Sequence, residues 1–179
     1  MKIKRTKLKD VYIIIPKANE DKRGFFQRLF CKKIFKNRNL ENSIVQINNS
    51  FNRHKGTTRG LHYQIGNSAE CKILRCIKGS LVNIVVDVRK NSKNYLKHVT
   101  IKLSEKNRYM SYIPRGFANG LQTLEDNTEL IYFTTNFYNP KKEKGLLITD
   151  PILKIKLPKK VSVISKKDKS FQKLKTKNN

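Results

Sequence analysis

The sequence predicts an all-β fold with short flanking helices, and three observations carry that expectation. From Val11 to about Pro158 the chain reads as short runs rich in β-branched and aromatic residues, separated by Gly and Pro punctuation. Few stretches have the three-to-four residue apolar spacing of an amphipathic helix. Many short strands with turn signals between them are the pattern of a β-sandwich, jelly roll or barrel.

Taken in order, one helix is expected near the N-terminus, where QRLFCKKIFKNRNL (27–40) places Leu29, Phe30, Ile34 and Phe35 on one helical face. The clearest strands follow, beginning at Val45, Cys71, Ser80, His98 and Leu130, and Lys78-Gly79-Ser80 is read as a tight turn between two of them. Beyond Pro158 lysine dominates. Val161 to Ile164 retains enough apolar character to dock, whereas about 170–179 is expected to fray. Neither an internal repeat nor an interdomain linker is visible, so residues 1–179 are read as one domain.

With 37% hydrophobic and 30% charged residues, the composition is that of a globular chain and not of a disordered one. Forty Lys plus Arg against 13 Asp plus Glu leave a formal charge of +27, which raises the question of nucleic acid. The basic residues are scattered along the whole chain, however, and do not cluster on one helix or alternate with aromatics. No nucleic-acid partner is therefore expected, and the positive field is read as favouring an anionic small substrate. No apolar run approaches the roughly 18 residues of a membrane span, and Val11–Pro16 is too short for a signal peptide, so no membrane partner and a cytoplasmic location are expected. Cys31, Cys71 and Cys76 are odd in number and lack a CxxC pair, which suggests neither disulfides nor zinc.

The most informative stretch is KGTTRGLHYQ, Lys55 to Gln64. A Gly-bounded turn leads into a strand whose alternation sends Leu61 and Tyr63 to one face and Gly60, His62 and Gln64 to the other. Arg59 beside His62, on backbone cleared by glycine, suits an anionic ligand. In the strand after Glu129, alternation places Leu130, Tyr132 and Thr134 on one face, and Tyr138 joins them if the strand persists. A structural histidine and two amphipathic strand tyrosines at a core edge remain the plainer readings of the same spacing.

RGFF at Arg23 to Phe26, QINNS at Gln46 to Ser50, GTTRGLHYQ ending at Gln64, KGSLVNIVVDVR from Lys78, YIPRGFANG ending at Gly120, YFTTNFYNP from Tyr132 and ISKKD ending at Asp168 occur together in one order. In that order and spacing the chain resembles the dTDP-4-dehydrorhamnose 3,5-epimerases over nearly its whole length. The resemblance implies a cupin-type jelly-roll barrel, a homodimer, no cofactor, and a nucleotide-diphosphate sugar as substrate. It implies epimerisation at C3, or at C3 and C5, of a 4-keto-6-deoxyhexose or 4-keto-heptose for surface polysaccharide.

Carried over residue by residue, the resemblance makes His62 the base, oriented by Asp168, Tyr132 the opposing acid, and Lys72 with Arg59 the groups that hold the enolate oxygen. Arg23, Phe26, Gln46, Asn48, Tyr138 and Glu143 fall on the nucleotide side. Two substrate-site positions depart from the commonest pattern: Asn119 stands where many members have histidine, and Arg28 where many have glutamate. There is also one extra residue between Gln46 and His62, which blurs the register of Gln46 and Asn48. Metal is not expected, because His54, His62 and His98 form no HxH pair and the later metal-ligand position is Asn119. The alternatives within the fold are a 3,4-ketoisomerase and a sugar-binding cupin without turnover.

Overall fold

The computed structural model describes residues 1–175. In chain order its elements are β1 (Lys2–Arg5), β2 (Tyr12–Ile15), β3 (Ala18–Asp21), β4 (Gly24–Gln27), α1 (Lys32–Asn37), β5 (Gln46–Asn52), β6 (Thr58–Gln64), β7 (Lys72–Lys78), β8 (Ser80–Asp87), β9 (His98–Ser104), β10 (Met110–Ile113), β11 (Phe117–Thr123), β12 (Thr128–Thr134), β13 (Glu143–Gly145) and α2 (Lys166–Lys169). A six-stranded sheet runs β1-β2-β10-β7-β12-β5 and faces a five-stranded sheet, β13-β6-β11-β8-β9, while β3 and β4 form a separate hairpin. Every strand pair is antiparallel, as a jelly roll requires.

Alternation along each strand explains how the layers stack. In β7, Leu74 and Cys76 point between the sheets, where they meet Leu81, Val85, Leu103, Phe117, Leu121 and Leu130. Its intervening residue Ile73 points outward into a second cluster with Phe35, Met110, Tyr112 and Phe133. The opposite sheet is covered in the same way, with Leu61, Ile84, Val86 and Ala118 packed under Leu146, Ile148 and Leu153 of the segment after β13. Both sheets are thus buried on both faces over their central strands, which is why those strands read as near-continuous apolar runs. Gly79 makes the β7–β8 turn at φ +70°, and a Cβ there would lie 2.8 Å from the Thr128 hydroxyl. Among the described residues no helix is long and apolar enough to cross a membrane.

Two expectations are corrected. The helix predicted over 27–40 is only Lys32–Asn37. Gln27 is instead the last residue of the hairpin, paired with Ala18, and its side-chain amide donates to the Pro16 carbonyl. Leu29 and Phe30 pack on the same cluster as Phe35 from extended chain, and the Phe30 and Phe35 rings lie 4.9 Å apart. A shared burial site imitated a helical stripe. The fraying expected over about 170–179 does not extend to Phe171 or Leu174. Leu174 packs on the outer cluster and its amide donates to Asp150 at 2.6 Å; positions 176–179 lie outside the described residues. Val161–Ile164 docks as expected, through the Thr58 amide to the Val163 carbonyl at 2.8 Å.

Leu81 is fully buried between the sheets. Leu81→Ala should therefore cost about 2–5 kcal/mol of unfolding free energy in chemical denaturation, with the spectrum of the native fold retained. A cost below about 1 kcal/mol would place the main core elsewhere.

Candidate active site

The site is built where β6 departs from regular pairing. Asn119 of β11 pairs with His62, but Leu121 pairs with Arg59, so Gly60 and Leu61 together face Gly120 alone. Strict alternation would have sent Arg59 to the outer face with Leu61. The bulge instead brings Arg59 and His62 to one cavity, while Leu61 stays buried in the outer cluster. Gly60 permits it: its φ is +84°, and a Cβ there would fall 2.5 Å from the Asn119 carbonyl oxygen.

The cavity between the sheets has a volume of about 400 Å³ and takes in Arg59, His62, Lys72, Asn119, Tyr132 and Asp168. These are six of the residues named from the sequence. On the five-stranded sheet, His62 Nε2 lies 2.7 Å from Asp168 Oδ1, and the Gly60 amide donates to Asp168 Oδ2 at 2.9 Å. The Asp168 side chain is only 4% exposed. Burial pushes its carboxyl up, but the hydrogen bonds from His62 and the Gly60 amide outweigh burial and hold it below the usual carboxylate range. The helix that carries it is short and is capped by Ser165, whose Oγ accepts the Asp168 amide at 3.0 Å. On its other side, His62 Nδ1 is 3.9 Å from Glu143 Oε1.

The facing wall belongs to the six-stranded sheet and presents Lys72 and Leu74 of β7 with Leu130 and Tyr132 of β12. Burial pushes the Tyr132 phenol up; the Glu70 charge acts in the same direction, and Arg59 opposes them. The phenol therefore keeps its proton at neutral pH. Lys72 Nζ lies 3.1 Å from Glu70 Oε1. Arg59 Nε donates to the neutral amide oxygen of Asn52 at 2.7 Å. Asn119 donates from its side-chain amide to the Ile84 carbonyl at 3.4 Å while lining the cavity.

The remaining predicted residues divide into a rim and a separate hairpin. Gln46 and Asn48 alternate with exposed Ile47 and share the face of Ser50, which lines the cavity. Tyr138 is not on the Tyr132 face as a strand residue, because β12 ends at Thr134. Its amide donates to Gln46 and its hydroxyl to Glu143 at 3.0 Å, leaving its ring exposed at the rim. Glu143 also pairs with Lys167. Arg23, Phe26 and Arg28 lie outside the cavity: Arg23 pairs with Asp21 on the hairpin, Phe26 is 64% exposed and Arg28 follows exposed. Gln64, on the His62 face by alternation, is a structural group whose amide bridges Ser68, Phe137 and Asn139.

Sequence reasoning missed Thr58, Ser165, Lys167 and Phe171. Thr58, Ser165 and Lys167 line the cavity, and the Phe171 ring stands edge-on to His62 with centroids 5.8 Å apart. Phe171 lies past the end of α2, and an aromatic residue within a lysine-rich stretch was the signal for it. Among the described residues, no group of three or more His, Cys, Asp or Glu side chains could hold a metal ion.

A family model described as dTDP-4-dehydrorhamnose 3,5-epimerase matches residues 5–176. The chain belongs to that family. A relative from Shigella flexneri called dTDP-4-dehydrorhamnose 3,5-epimerase is 39% identical over 97% of this chain and 96% of its own length. The crystal structure of the Bacillus anthracis enzyme of that name, with TDP and PPi bound, superposes with a TM-score of 0.93 at 31% identity, covering 97% of this chain and 99% of that one. The Legionella pneumophila dTDP-6-deoxy-D-glucose-3,5-epimerase, in complex with dTDP-4-keto-L-rhamnose, gives a TM-score of 0.91 at 32% identity, over 96% and 92% of the two chains. The epimerase thus has the cupin-type jelly roll that the resemblance implied, within the all-β class read from its strand pattern, and it is an isomerase of nucleotide sugars.

The geometry at Asp168 sets a pH-dependent stability. Because the folded carboxyl is held below the unfolded value of about 3.9, its contribution is present above that value and is lost as the pH falls through the folded one. In the epimerase, Asp168→Asn should lower unfolding free energy at neutral pH by on the order of 1–3 kcal/mol. Denaturation curves should show the gap closing as the pH is taken below about 4. A gap that stays constant with pH would mean that the carboxylate charge contributes nothing.

Proposed function

We propose that this epimerase inverts C3 and C5 of a dTDP-linked 4-keto-6-deoxyhexose, without metal or cofactor, in the cytoplasm and for synthesis of surface polysaccharide. The observation that carries the reading is the pairing of His62 with Asp168 on one sheet and a protonated Tyr132 on the sheet facing it, all lining one cavity.

A 4-ketone acidifies the hydrogens on both neighbouring carbons, and inversion needs a base on one face and an acid on the other. With its Nε2 hydrogen donated to Asp168, His62 has the Nδ1 lone pair left to take a proton from carbon. The imidazolium that forms then lies between the Asp168 carboxylate and that of Glu143. Tyr132 returns a proton from the opposite side. Lys72 and Arg59 are the cations available to the enolate oxygen, and Asn119 offers an amide in the same wall. Gln46, Asn48, Tyr138 and Glu143 form the rim against which the nucleotide is read.

A homodimer is part of the proposal. Ile47 and Phe51 of the edge strand β5 are exposed, as are Phe25 and Phe26 of the hairpin, and such edges are normally covered. Association would let Arg23, Phe26 and Arg28, which stand outside the chain's own cavity, serve a substrate across the interface.

Incubation with dTDP-4-keto-6-deoxyglucose in deuterated water, followed by NMR, tests the reaction. Deuterium should enter at C3 and C5 with inversion, and its absence at both would overturn the reading. His62→Asn should lower the rate by about 10²- to 10⁴-fold with TDP still bound, and near-normal turnover in that variant removes His62 as the base. Tyr132→Phe keeps the ring but removes the proton donor. It should exchange hydrogen at C3 while leaving configuration unchanged; inversion at the parent rate would make water or another residue the acid. Dialysis against EDTA should leave turnover unchanged, and a chelator-sensitive rate would return a metal to the mechanism.

A further inference from the structure

Glu70, which enters none of the roles above, stands two residues before Lys72, where the turn at Gly66–Ser68 leads into β7. Lys72 and Leu74 of β7 line the cavity, while Cys71 and Ile73 are fully buried on the other face, and Glu70 reaches the Lys72 ammonium from the chain just before the strand. The Glu70 carboxylate lies 3.1 Å from Lys72 Nζ, and the two side chains are only 7% and 19% exposed. A surface ion pair of two long side chains contributes little. This pair is enclosed instead, and loss of one member would leave the other without its counter-ion in a cavity wall.

We infer that Glu70 is a positioning residue for the epimerisation: its carboxylate fixes the Lys72 ammonium in the cavity wall and sets the charge felt by the adjoining Tyr132 hydroxyl. The inference rests on the roles proposed for Lys72 and Tyr132. Across the β7–β12 pair, Tyr132 faces Leu74 and Thr134 faces Lys72, so Lys72 and Tyr132 are diagonal neighbours on one face. An ammonium has three donors; Glu70 takes one, which leaves two for an oxygen in the cavity. Without that carboxylate, the lysine's flexible stem has no partner to hold it toward an enolate.

The phenol senses the same group. Burial is the largest influence raising Tyr132, the Glu70 charge is next and acts in the same direction, and Arg59 of β6 opposes both. The other charged or titratable groups lining this cavity are Lys72 itself and, on the opposite side, His62, Lys167 and Asp168. Replacing Glu70 by a neutral residue removes a negative charge that counteracts Arg59, so the phenol gives up its proton at lower pH. The acid of the proposed mechanism is then spent sooner as the pH rises.

Glu70→Gln and Glu70→Asp, each compared with the parent, test the inference. Glu70→Gln should reduce kcat for dTDP-4-keto-6-deoxyglucose by about tenfold, with KM changed less than about twofold and the alkaline limb of the kcat profile moved to lower pH. Glu70→Asp, which restores the charge, should return the limb toward the parent's. Independently of turnover, NMR of ring-labelled tyrosine, with the Tyr132 signal assigned by Tyr132→Phe, should show Tyr132 ionising at lower pH in Glu70→Gln. An unmoved Tyr132 titration, or a rate loss that follows a lowered melting temperature with the limb unmoved, would overturn the inference. Failure of the parent to exchange deuterium would instead count against the epimerase reading, while the Tyr132 titration still decides the part played by Glu70.

Discussion

The Asp168 carboxylate joins two parts of the chain that are far apart in sequence. One oxygen holds the Gly60 amide and the other the His62 ring, on a strand more than a hundred residues earlier. Because the group is nearly buried, these donors replace the water it would otherwise bind, and together they tie α2 to β6. The placement is braced from outside the site. Ser165 caps the short helix, the Phe171 ring lies beside the imidazole, and Leu174 anchors the following chain to Asp150. The position of the base therefore depends on docking of the C-terminal segment as much as on the strand that carries His62.

That dependence explains where the sequence was readable and where it was not. The central strands were legible because their burial on both faces leaves near-continuous β-branched and apolar runs, as in Ser80–Asp87. Gly79 was legible because a turn between two such strands needs positive φ. The meeting of Arg59 with His62 was expected from nearness in sequence, but its cause, the bulge at Gly60 and Leu61, leaves no mark in an alternating pattern. The N-terminal helix was overextended because Leu29 and Phe30 reach the Phe35 cluster without being helical. Tyr138 was placed by continuing a strand that stops at Thr134, since nothing in the spacing of one strand announces its last ladder bond. The lysine-rich tail hid two anchoring residues, Phe171 and Leu174, because composition averages over the few side chains that dock.

The two walls of the cavity are electrostatically unlike, and that difference separates the proposed acid from the proposed base. Around His62 the neighbours are carboxylates, Asp168 at 2.7 Å and Glu143 at 3.9 Å. Around Tyr132 the neighbours are apolar Leu74 and Leu130, with Glu70 beyond, an environment that disfavours phenolate. One wall is suited to receiving a proton and the other to holding one until it is needed.

The large positive charge of the chain has a local counterpart only in part. Of the cations in the cavity wall, Lys72 is paired with Glu70 and Lys167 with Glu143, so much of their field is cancelled at close range. Arg59 differs: among the described residues its hydrogen bond goes to the neutral amide of Asn52, and its charge remains directed at whatever occupies the cavity. The scattered lysines raise the general attraction for an anion, which salt screens over about 10 Å, whereas Arg59 acts within contact distance. Its guanidinium, oriented by Asn52 through Nε alone, keeps its terminal nitrogens available to an oxyanion. The bulge at Gly60 thus does more than turn a side chain inward, because it puts the one wall cation without a carboxylate partner beside the base.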